Sequence, residues 1–269
     1  MITDLLSADG RIVSVALDHG VFGSAGIVDG LGSLSRRVAE MVQAEPDAIQ
    51  LNLASAERLR SMLDGVPIRL VARLDVTNAY QAGLGARLYS LVAGRAIERA
   101  SELGAAAVVV NLLDSDSDPE LRRDCITIIN CLRAEASIAG ITLMIEPLVL
   151  SDQGAIRYAV NGDVTRISPL VRQASELGAD IIKADPTDNL EAFAAVVEAA
   201  GVPVLARGGG RVDDSELLDR TTALLAAGAS GVVYGRNVFQ HPHPDEITAR
   251  LMSVVHDHHA PFSSAAHSR

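Results

Sequence analysis

Lys183 is the only lysine among the 23 basic residues of the chain, the rest being arginine. Arginine stays protonated in proteins and cannot serve as an amine nucleophile, so a position that remains lysine suggests chemistry that needs the amine. Lys183 lies in the apolar run Ala-Asp-Ile-Ile-Lys-Ala-Asp-Pro, where desolvation lowers the pKa of an ammonium group. A neutral amine can attack a carbonyl, and the resulting iminium stabilises a neighbouring carbanion, as aldol cleavage requires. The alternative is a strand-end lysine that pairs with Asp180 or Asp185.

Two acidic residues are the candidates for proton transfer and substrate binding. Glu146 lies in the apolar segment Leu-Met-Ile-Glu-Pro-Leu, where we expect Lys183 as its partner and a pKa raised by burial. Asp18 ends the run Val-Ala-Leu-Asp-His-Gly and could bind a substrate hydroxyl or hold the lysine, with His19 as a further substrate ligand. A structural ion pair for Glu146 and a capping role for Asp18 remain the alternatives.

Two clusters of glycine and arginine follow apolar runs near the C-terminus. The first contains Arg207, Gly208 and Gly209, and the second contains Gly235 and Arg236. Glycines let backbone N–H groups approach an anion closely, and arginine adds a charge-assisted hydrogen bond. We therefore predict a phosphate site at these residues, with simple turn formation as the alternative.

The histidines do not form a pattern typical of a metal site. His256, His258 and His259 lie near the C-terminus, and His241 and His243 flank a proline. None of these spacings matches a zinc site, so we interpret them as residues of a solvated helix end and loop. We expect neither a metal nor any other cofactor.

Eight short apolar runs indicate the strands that would position these residues. They are rich in Val and Ile and apolar on both faces, as is typical of buried parallel strands. The runs are Ile12–Leu17, Ala48–Leu53, Ile68–Leu74, Ala105–Leu113, Ile141–Val149, Asp180–Ala184, Val202–Ala206 and Gly231–Tyr234.

Amphipathic segments alternate with the strands, and several end in glycine, the usual residue just past a helix. The alternation predicts an α/β fold, a single (β/α)8 TIM barrel over residues 1–269, with 260–269 as a flexible tail. The predicted helices are Leu34–Ala44, Ala96–Leu103, Glu120–Ala139, Leu170–Leu177, Leu190–Ala200, Glu216–Ala227 and Pro244–His256.

Active sites of such barrels lie at the carboxyl ends of the strands. This rule places Asp18, Glu146, Lys183 and the two Gly/Arg clusters at one mouth. It adds further polar candidates that end or follow predicted strands, namely Asn52, Asp75, Asn111 and Asp114.

Composition narrows the class of partner. The net charge of −11 argues against binding nucleic acid, although a small anionic substrate needs only a local positive pocket. We recognise neither a signal peptide nor an apolar run long enough for a membrane span. The two cysteines, Cys125 and Cys131, lie in an apolar helical segment and do not suggest a disulfide scaffold. We expect a cytoplasmic protein.

Three motifs resemble one aldolase family, and the similarity extends over nearly the whole chain. They are Val-Ala-Leu-Asp-His-Gly, Gly-Ala-Asp-Ile-Ile-Lys, and the most specific, Gly-Ala-Ser-Gly-Val-Val-Tyr-Gly-Arg-Asn-Val-Phe-Gln-His. The family joins archaeal-type class I fructose-bisphosphate aldolases, tagatose-bisphosphate aldolases and deoxyribose-phosphate aldolases. The resemblance implies that Lys183 forms the imine and that Gly208, Gly209, Gly235 and Arg236 hold a phosphate.

One segment departs from the archaeal-type pattern. Where that group has Trp-Ser-Tyr-Pro with tyrosine as proton donor, this chain has Met-Ile-Glu-Pro, so Glu146 takes the tyrosine position. Tagatose-bisphosphate and sulfofructose-phosphate aldolases are more similar here because they carry glutamate. The tagatose type also uses a second lysine, near whose position this chain has Asn111.

The sequence therefore predicts a Schiff-base aldolase, a homo-oligomer that cleaves a phosphorylated ketose to dihydroxyacetone phosphate and an aldehyde. A related carbon–carbon transferase, of the aminodideoxyheptulosonate synthase or autoinducer-2 thiolase type, is the close alternative. The run Asp-His-Gly-Val-Phe-Gly resembles the thiolase. A phosphosugar isomerase with Glu146 as base and a non-catalytic phosphate-binding relative also remain open.

Overall fold

Eight parallel strands close into a barrel in the computed structural model, which describes residues 4–23, 28–81, 87–151 and 162–257. Two further strands, β4 and β5, pair antiparallel as a small hairpin outside the barrel. In chain order the strands are β1 (Ile12–Ala16), β2 (Ala48–Asn52), β3 (Arg69–Arg73), β4 (Asp75–Thr77), β5 (Ser90–Val92), β6 (Ala107–Ser115), β7 (Thr142–Leu150), β8 (Ile181–Ala184), β9 (Val204–Arg207) and β10 (Gly231–Tyr234).

Helices follow the barrel strands and pack around them, which confirms the predicted (β/α)8 barrel. Short 3-10 turns also occur at His19–Phe22 and Leu190–Ala192. The α-helices of the described residues are α1 (Leu34–Ala44), α2 (Leu53–Arg58), α3 (Arg60–Leu63), α4 (Ala96–Glu102), α5 (Pro119–Ala139), α6 (Val164–Glu176), α7 (Phe193–Ala200), α8 (Asp214–Ala226), α9 (Arg236–Phe239) and α10 (Pro244–His256).

The predicted strands are all present, within two residues of their predicted bounds. The largest error among the helices is α6, which we expected to start at Leu170, just after Pro169. It begins instead at Val164, because Asp163 caps it by accepting the Thr165 N–H and the proline is accommodated inside the helix. The hairpin and the short helices α2, α3 and α9 were not predicted, and the tail 260–269 lies outside the described residues.

Glycine ends several helices as expected. Gly104, Gly178, Gly201 and Gly228 follow α4, α6, α7 and α8, and each has a positive φ, between 62° and 102°. This left-handed conformation carries no Cβ penalty in glycine, so the chain can turn from each helix toward the next strand.

Two apolar clusters make up the core. The larger lies between the barrel and its helices, and the smaller fills the barrel interior. Interior residues come from alternate positions of the strands, as the two-residue repeat of a strand requires. They are Ile12, Ala16, Ala48, Val71, Ala107, Val109, Met144, Ile181, Leu205 and Val233, with Leu5 and Leu6 from the N-terminal segment.

None of the helices in the described ranges is long and apolar enough to cross a membrane. Cys125 is buried and Cys131 is exposed, and both are free thiols.

Candidate active site

The inward-facing positions of the strands change from apolar to polar toward their carboxyl ends. Two residues beyond the last interior apolar residue of each strand, the same face presents a polar side chain or glycine. The resulting layer contains Asp18, Gln50, Arg73, Asn111, Glu146, Lys183, Arg207 and Gly235, and all but two of these residues line one pocket. Gln50 and Asn111 belong to this layer but are not among the residues that line the pocket.

Lys183 lies on β8 at the base of this pocket and is 4% exposed. Its Nζ is 3.1 Å from Glu146 Oε2 and donates to Gln50 Oε1 at 3.5 Å. Strand register explains the first contact: Ile145 pairs with Ile182, so Glu146 and Lys183 lie side by side. The surface pairing with Asp180 or Asp185 does not occur, because those carboxylates bind Arg133 and Arg207.

Burial lowers the pKa of Lys183, and the nearby guanidinium groups of Arg73 and Arg207 lower it further. The carboxylates of Glu146 and Asp18 act in the opposite direction, but the net shift is downward. The amine is therefore easier to deprotonate than an exposed lysine, which is the condition for nucleophilic attack on a carbonyl.

Glu146 on β7 is buried among three cationic groups. Its Oε1 is 2.9 Å from Arg207 Nε. Its Oε2 contacts Lys183 and also accepts a hydrogen bond from the guanidinium of Arg73. Burial would raise the pKa of this carboxyl, but Lys183, Arg73 and Arg207 outweigh it and hold the pKa well below its usual range. The raised pKa expected from burial alone was wrong, because the sequence did not show that Arg73 and Arg207 contact this carboxylate.

Asp18 follows β1 and joins this network. Its Oδ2 accepts from Gln50 Nε2 at 2.6 Å and from Arg73 Nε at 3.0 Å. Burial opposes ionisation of Asp18, yet Arg73 and Lys183 lower its pKa overall, so the group is a carboxylate. It makes no side-chain capping bond to the following 3-10 turn, which removes the capping alternative.

His19 borders the pocket between Asp18 and the β10 end. Burial lowers its pKa to about 4, and Asp18 offsets this only in part, so the imidazole is neutral near pH 7. Its ring packs edge-on against Phe239 at 5.0 Å, and its buried Nδ1 has no hydrogen-bond partner among the described residues. A neutral ring nitrogen in this position can bind a substrate hydroxyl.

The glycine-rich end of the pocket is formed where β9 and β10 finish. Gly208, Gly209, Gly235 and Arg236 all line it, and Arg236 donates to the Gly209 carbonyl at 3.1 Å. A Cβ on Gly235 would lie 2.3 Å from His19 Cε1, so only glycine fits there. The Gly208 N–H donates to Val233 O at 3.1 Å, so this residue contributes space and not a donor.

Arg207, predicted as a phosphate ligand, lines the pocket and also binds acidic groups and a phenol. Its guanidinium is 2.9 Å from Glu146, donates to Asp185 at 2.6 Å and donates to the Tyr80 hydroxyl at 3.0 Å. Arg207 lies on β9, next to the strand of Lys183, and there it binds two carboxylates and a phenol.

The remaining sequence candidates lie outside the pocket lining. Asn111 donates to Asp75 at 2.8 Å, and Asp75 in turn accepts from Arg73, so both support the arginine from behind. Asn52 caps α2 by accepting the Ser55 N–H. Asp114 pairs with Arg122 at 3.2 Å, on the helix side of β6.

Two central residues, Gln50 and Arg73, were not predicted. Both lie inside predicted strands, whereas the candidates were taken mainly from residues that end or follow a strand. The signal was available in the two-residue alternation: Gln50 is two positions after Ala48, and Arg73 two after Val71, on the interior face.

A closed (β/α)8 barrel with this lysine at its carboxyl-end mouth defines an enzyme of the class I aldolase type. The sequence profile of the DeoC/LacD family aldolases matches residues 12–241, and the chain belongs to this family. An uncharacterized aldolase of Saccharolobus solfataricus is 31% identical over 92% of this chain and 90% of its own length.

Another relative has a specific activity in its name. The 2-amino-3,7-dideoxy-D-threo-hept-6-ulosonate synthase of Halobacterium salinarum is 30% identical over 97% of this chain and 92% of its own length. A Schiff-base-forming fructose-1,6-bisphosphate aldolase of known structure superposes with a TM-score of 0.77, covering 94% of this chain and 97% of that one. At 23% sequence identity this last similarity concerns the fold alone.

Proposed function

We propose that this enzyme cleaves and forms a carbon–carbon bond through an imine on Lys183, with a phosphorylated ketose as substrate. The observation that carries the proposal is the buried amine of Lys183, which has a lowered pKa and faces a pocket whose other end is rich in glycine and arginine. An amine nucleophile and an anion site in one pocket suit a phosphorylated carbonyl compound.

The covalent sequence starts with the neutral amine. Its lone pair attacks the ketose carbonyl carbon, and a proton passes from nitrogen to oxygen to give a carbinolamine. The hydroxyl takes up a proton and leaves as water, and the nitrogen lone pair completes the iminium. A base then removes the proton of the hydroxyl on the β carbon, and its oxygen forms the aldehyde C=O. The bond between the α and β carbons breaks, and its electron pair passes into the iminium to give an enamine. The aldehyde departs, a proton adds to the enamine carbon, and water hydrolyses the imine.

Glu146 is the base in this proposal. Because Arg73, Arg207 and Lys183 keep it ionised, it enters the reaction as a proton acceptor and becomes a donor only after it has taken the substrate proton. Glu146 then donates this proton to the enamine carbon. Asp18 and His19 bind substrate hydroxyls, the former as an acceptor next to the amine.

The phosphate of the substrate binds at the glycine-rich end, where Arg236 supplies the charge and Gly209 and Gly235 line the pocket without side chains. This assignment makes dihydroxyacetone phosphate the half that stays bound as the enamine. In this proposal the ketose spans the pocket, with its phosphate at the glycine-rich end and its reacting hydroxyl near Glu146.

A second candidate is a carbon–carbon transfer of the aminodideoxyheptulosonate synthase type. The specific observation in its favour is the similarity to the Halobacterium salinarum synthase along almost the whole chain. In such a transfer the enamine carbon on Lys183 attacks the carbonyl of an acceptor, whereas in aldol cleavage the same carbon takes up a proton. The imine step is common to both candidates, and the acceptor distinguishes them.

Borohydride trapping tests the proposal directly. The enzyme is incubated with dihydroxyacetone phosphate, reduced, digested and analysed by mass spectrometry, with Lys183→Met as the control. We expect one reduced adduct, on the Lys183 peptide, and none in the variant. An enzyme that turns over a phosphosugar without any trapped adduct would be an isomerase, and the imine proposal would be wrong.

A further inference from the structure

Gln50 has no role in the chemistry above, yet its side chain connects two of the groups that have one. It lies on β2, is fully buried, donates from Nε2 to Asp18 Oδ2 at 2.6 Å, and accepts from Lys183 Nζ at 3.5 Å. Strand pairing fixes the position of Gln50 along the barrel axis. Ala16 pairs with Gln50, and Asp18 follows Ala16 by two residues, just beyond the end of β1. The amide is therefore held within the layer that contains the amine.

The orientation of the amide follows from its partner. An ionised carboxylate can only accept hydrogen bonds, so the NH₂ group of Gln50 must face Asp18. The amide oxygen then faces Lys183. Arg73 Nε also donates to Asp18 Oδ2, at 3.0 Å. This second hydrogen bond fixes the carboxylate that orients the Gln50 amide.

The neutral amine of Lys183 has two N–H bonds and one lone pair. Two acceptors lie within reach of Nζ among the described residues, Glu146 Oε2 at 3.1 Å and Gln50 Oε1 at 3.5 Å. If each acceptor takes one N–H, the lone pair points to the remaining tetrahedral position, toward the pocket. An amine held in this way is preorganised for nucleophilic attack on a carbonyl carbon.

We propose that Gln50 is a positioning residue that directs the Lys183 lone pair into the pocket while leaving the amine uncharged. The proposal rests on the imine function proposed above. It explains why an amide occupies this position. A carboxylate would add a further negative charge beside Nζ, besides those of Glu146 and Asp18, and stabilise the ammonium form. An apolar side chain would leave one N–H without its acceptor.

The single lysine allows the amine itself to be titrated. A small acylating reagent such as acetic anhydride labels deprotonated amines, so the rate of Lys183 acetylation against pH gives its pKa by mass spectrometry, with the N-terminal amine as internal standard. The enzymes to compare are wild type, Gln50→Glu, Gln50→Met and Ile49→Val. The last is a matched control, because Ile49 lies next to Gln50 on β2 but faces the outer core.

We expect Gln50→Glu to raise the pKa of Lys183 by about one unit or more, since an opposite charge at this distance favours the ammonium form. Gln50→Met should leave that pKa at or below the wild-type value. It should nevertheless slow borohydride-trapped adduct formation with dihydroxyacetone phosphate by about tenfold, the size of effect expected from a misdirected nucleophile. Ile49→Val should match wild type in both measurements.

A wild-type pKa in Gln50→Glu, or a wild-type trapping rate in Gln50→Met, would overturn the role of Gln50. Circular dichroism spectra and melting temperatures confirm that each variant is folded. If wild type itself forms no adduct while turning over a substrate, the proposed function fails, and the role of Gln50 fails with it. If wild type is trapped at Lys183 and the Gln50 variants behave like it, only the Gln50 proposal fails.

Discussion

At the scale of single residues, the site depends on how charge is shared around one amine. Lys183, Arg73 and Arg207 surround Glu146, which contacts all three. Asp18, Asp75 and Asp185 pair with the two arginines from other sides. The guanidinium groups cannot lose their protons, so the lysine is the one member of the trio whose charge can change. A chain that uses arginine elsewhere thus confines amine chemistry to a single position.

Lys183→Arg should abolish turnover. The substitution keeps positive charge and most of the side-chain length, but a guanidinium stays protonated and cannot attack a carbonyl. Steady-state assays with each candidate ketose phosphate and borohydride trapping both measure the effect. Activity within about tenfold of wild type would refute catalysis by the amine.

Glu146→Gln should lower kcat by about 10²- to 10⁴-fold, the usual contribution of general acid–base help. Trapping at Lys183 should persist, because the Glu146 carboxylate raises the pKa of the lysine and its loss makes the amine easier to deprotonate. Comparison of kcat with the trapping rate separates the two roles. If kcat stays near that of wild type, Glu146 is only a structural partner of the cations, and Tyr80 becomes the next proton carrier to test.

At the scale of elements, the sequence predicted the barrel well because buried parallel strands have a strong and simple signature. Runs of Val, Ile and Ala apolar on both faces occur only where a strand is covered on two sides. Elements that depend on local turn geometry or on tertiary contacts, such as the hairpin Asp75–Thr77 with Ser90–Val92, have no comparable signature.

The candidate site was predicted less completely for a different physical reason. Residues after a strand stand out in a sequence, whereas Gln50 and Arg73 are polar positions within runs that are otherwise mostly apolar. Their side chains are tolerated there only because partners on other strands neutralise or bind them. The pKa of Glu146 depends on Lys183, Arg73 and Arg207, which lie on three other strands. Neither these contacts nor the protonation state could therefore be inferred from one strand alone.

The junction of β10 and α9 carries a prediction about phosphate. Arg236→Ala should raise KM for a phosphorylated substrate by about 10- to 100-fold, because a charge-assisted hydrogen bond of about 1.5–3 kcal/mol is lost. KM for the dephosphorylated analogue should change little. Arg250→Ala, which removes an exposed arginine from α10, is the control. Equal effects of Arg236→Ala on both substrates would remove this residue from the phosphate site.

At the scale of the whole molecule, the pocket differs in charge from the rest of the protein. The chain has a net charge of −11, yet the pocket is lined by three guanidinium groups and only two carboxylates, in addition to Lys183. A local positive region in an acidic protein attracts small anions while the overall field repels polyanions such as nucleic acid. The charge distribution thus favours a small phosphorylated substrate.

A second charged cluster lies near the amino ends of the barrel strands β1 and β2. His256 at the end of α10 binds Asp9 through Nδ1 at 2.6 Å and Asp47 through Nε2 at 2.9 Å. Asp47 also accepts from the Val13 N–H and the Ser7 hydroxyl. The sequence suggested a solvated helix end here, but His256 connects the last helix to the start of β1 and to the residue before β2. His258 and His259 lie outside the described residues.

This cluster makes the stability of the fold depend on pH. The hydrogen bonds to Asp47 and Asp9 raise the pKa of His256 from 6.5 to about 9, against the effect of burial. A group whose pKa is higher in the folded state stabilises that state fully below the unfolded pKa, and the contribution disappears as pH rises through the folded value. Melting temperature should therefore fall between about pH 6.5 and pH 9 in wild type.

His256→Gln should remove most of this pH dependence, because glutamine can hydrogen-bond one carboxylate but carries no proton to lose. The two proteins should differ most near pH 6 and converge near pH 9.5, as measured by melting temperature in matched buffers. His243→Gln, at an exposed position just before α10, should keep the wild-type slope. A His256→Gln curve parallel to wild type over the whole range would show that the ion pairs with Asp9 and Asp47 do not connect the last helix to the barrel in a proton-dependent way.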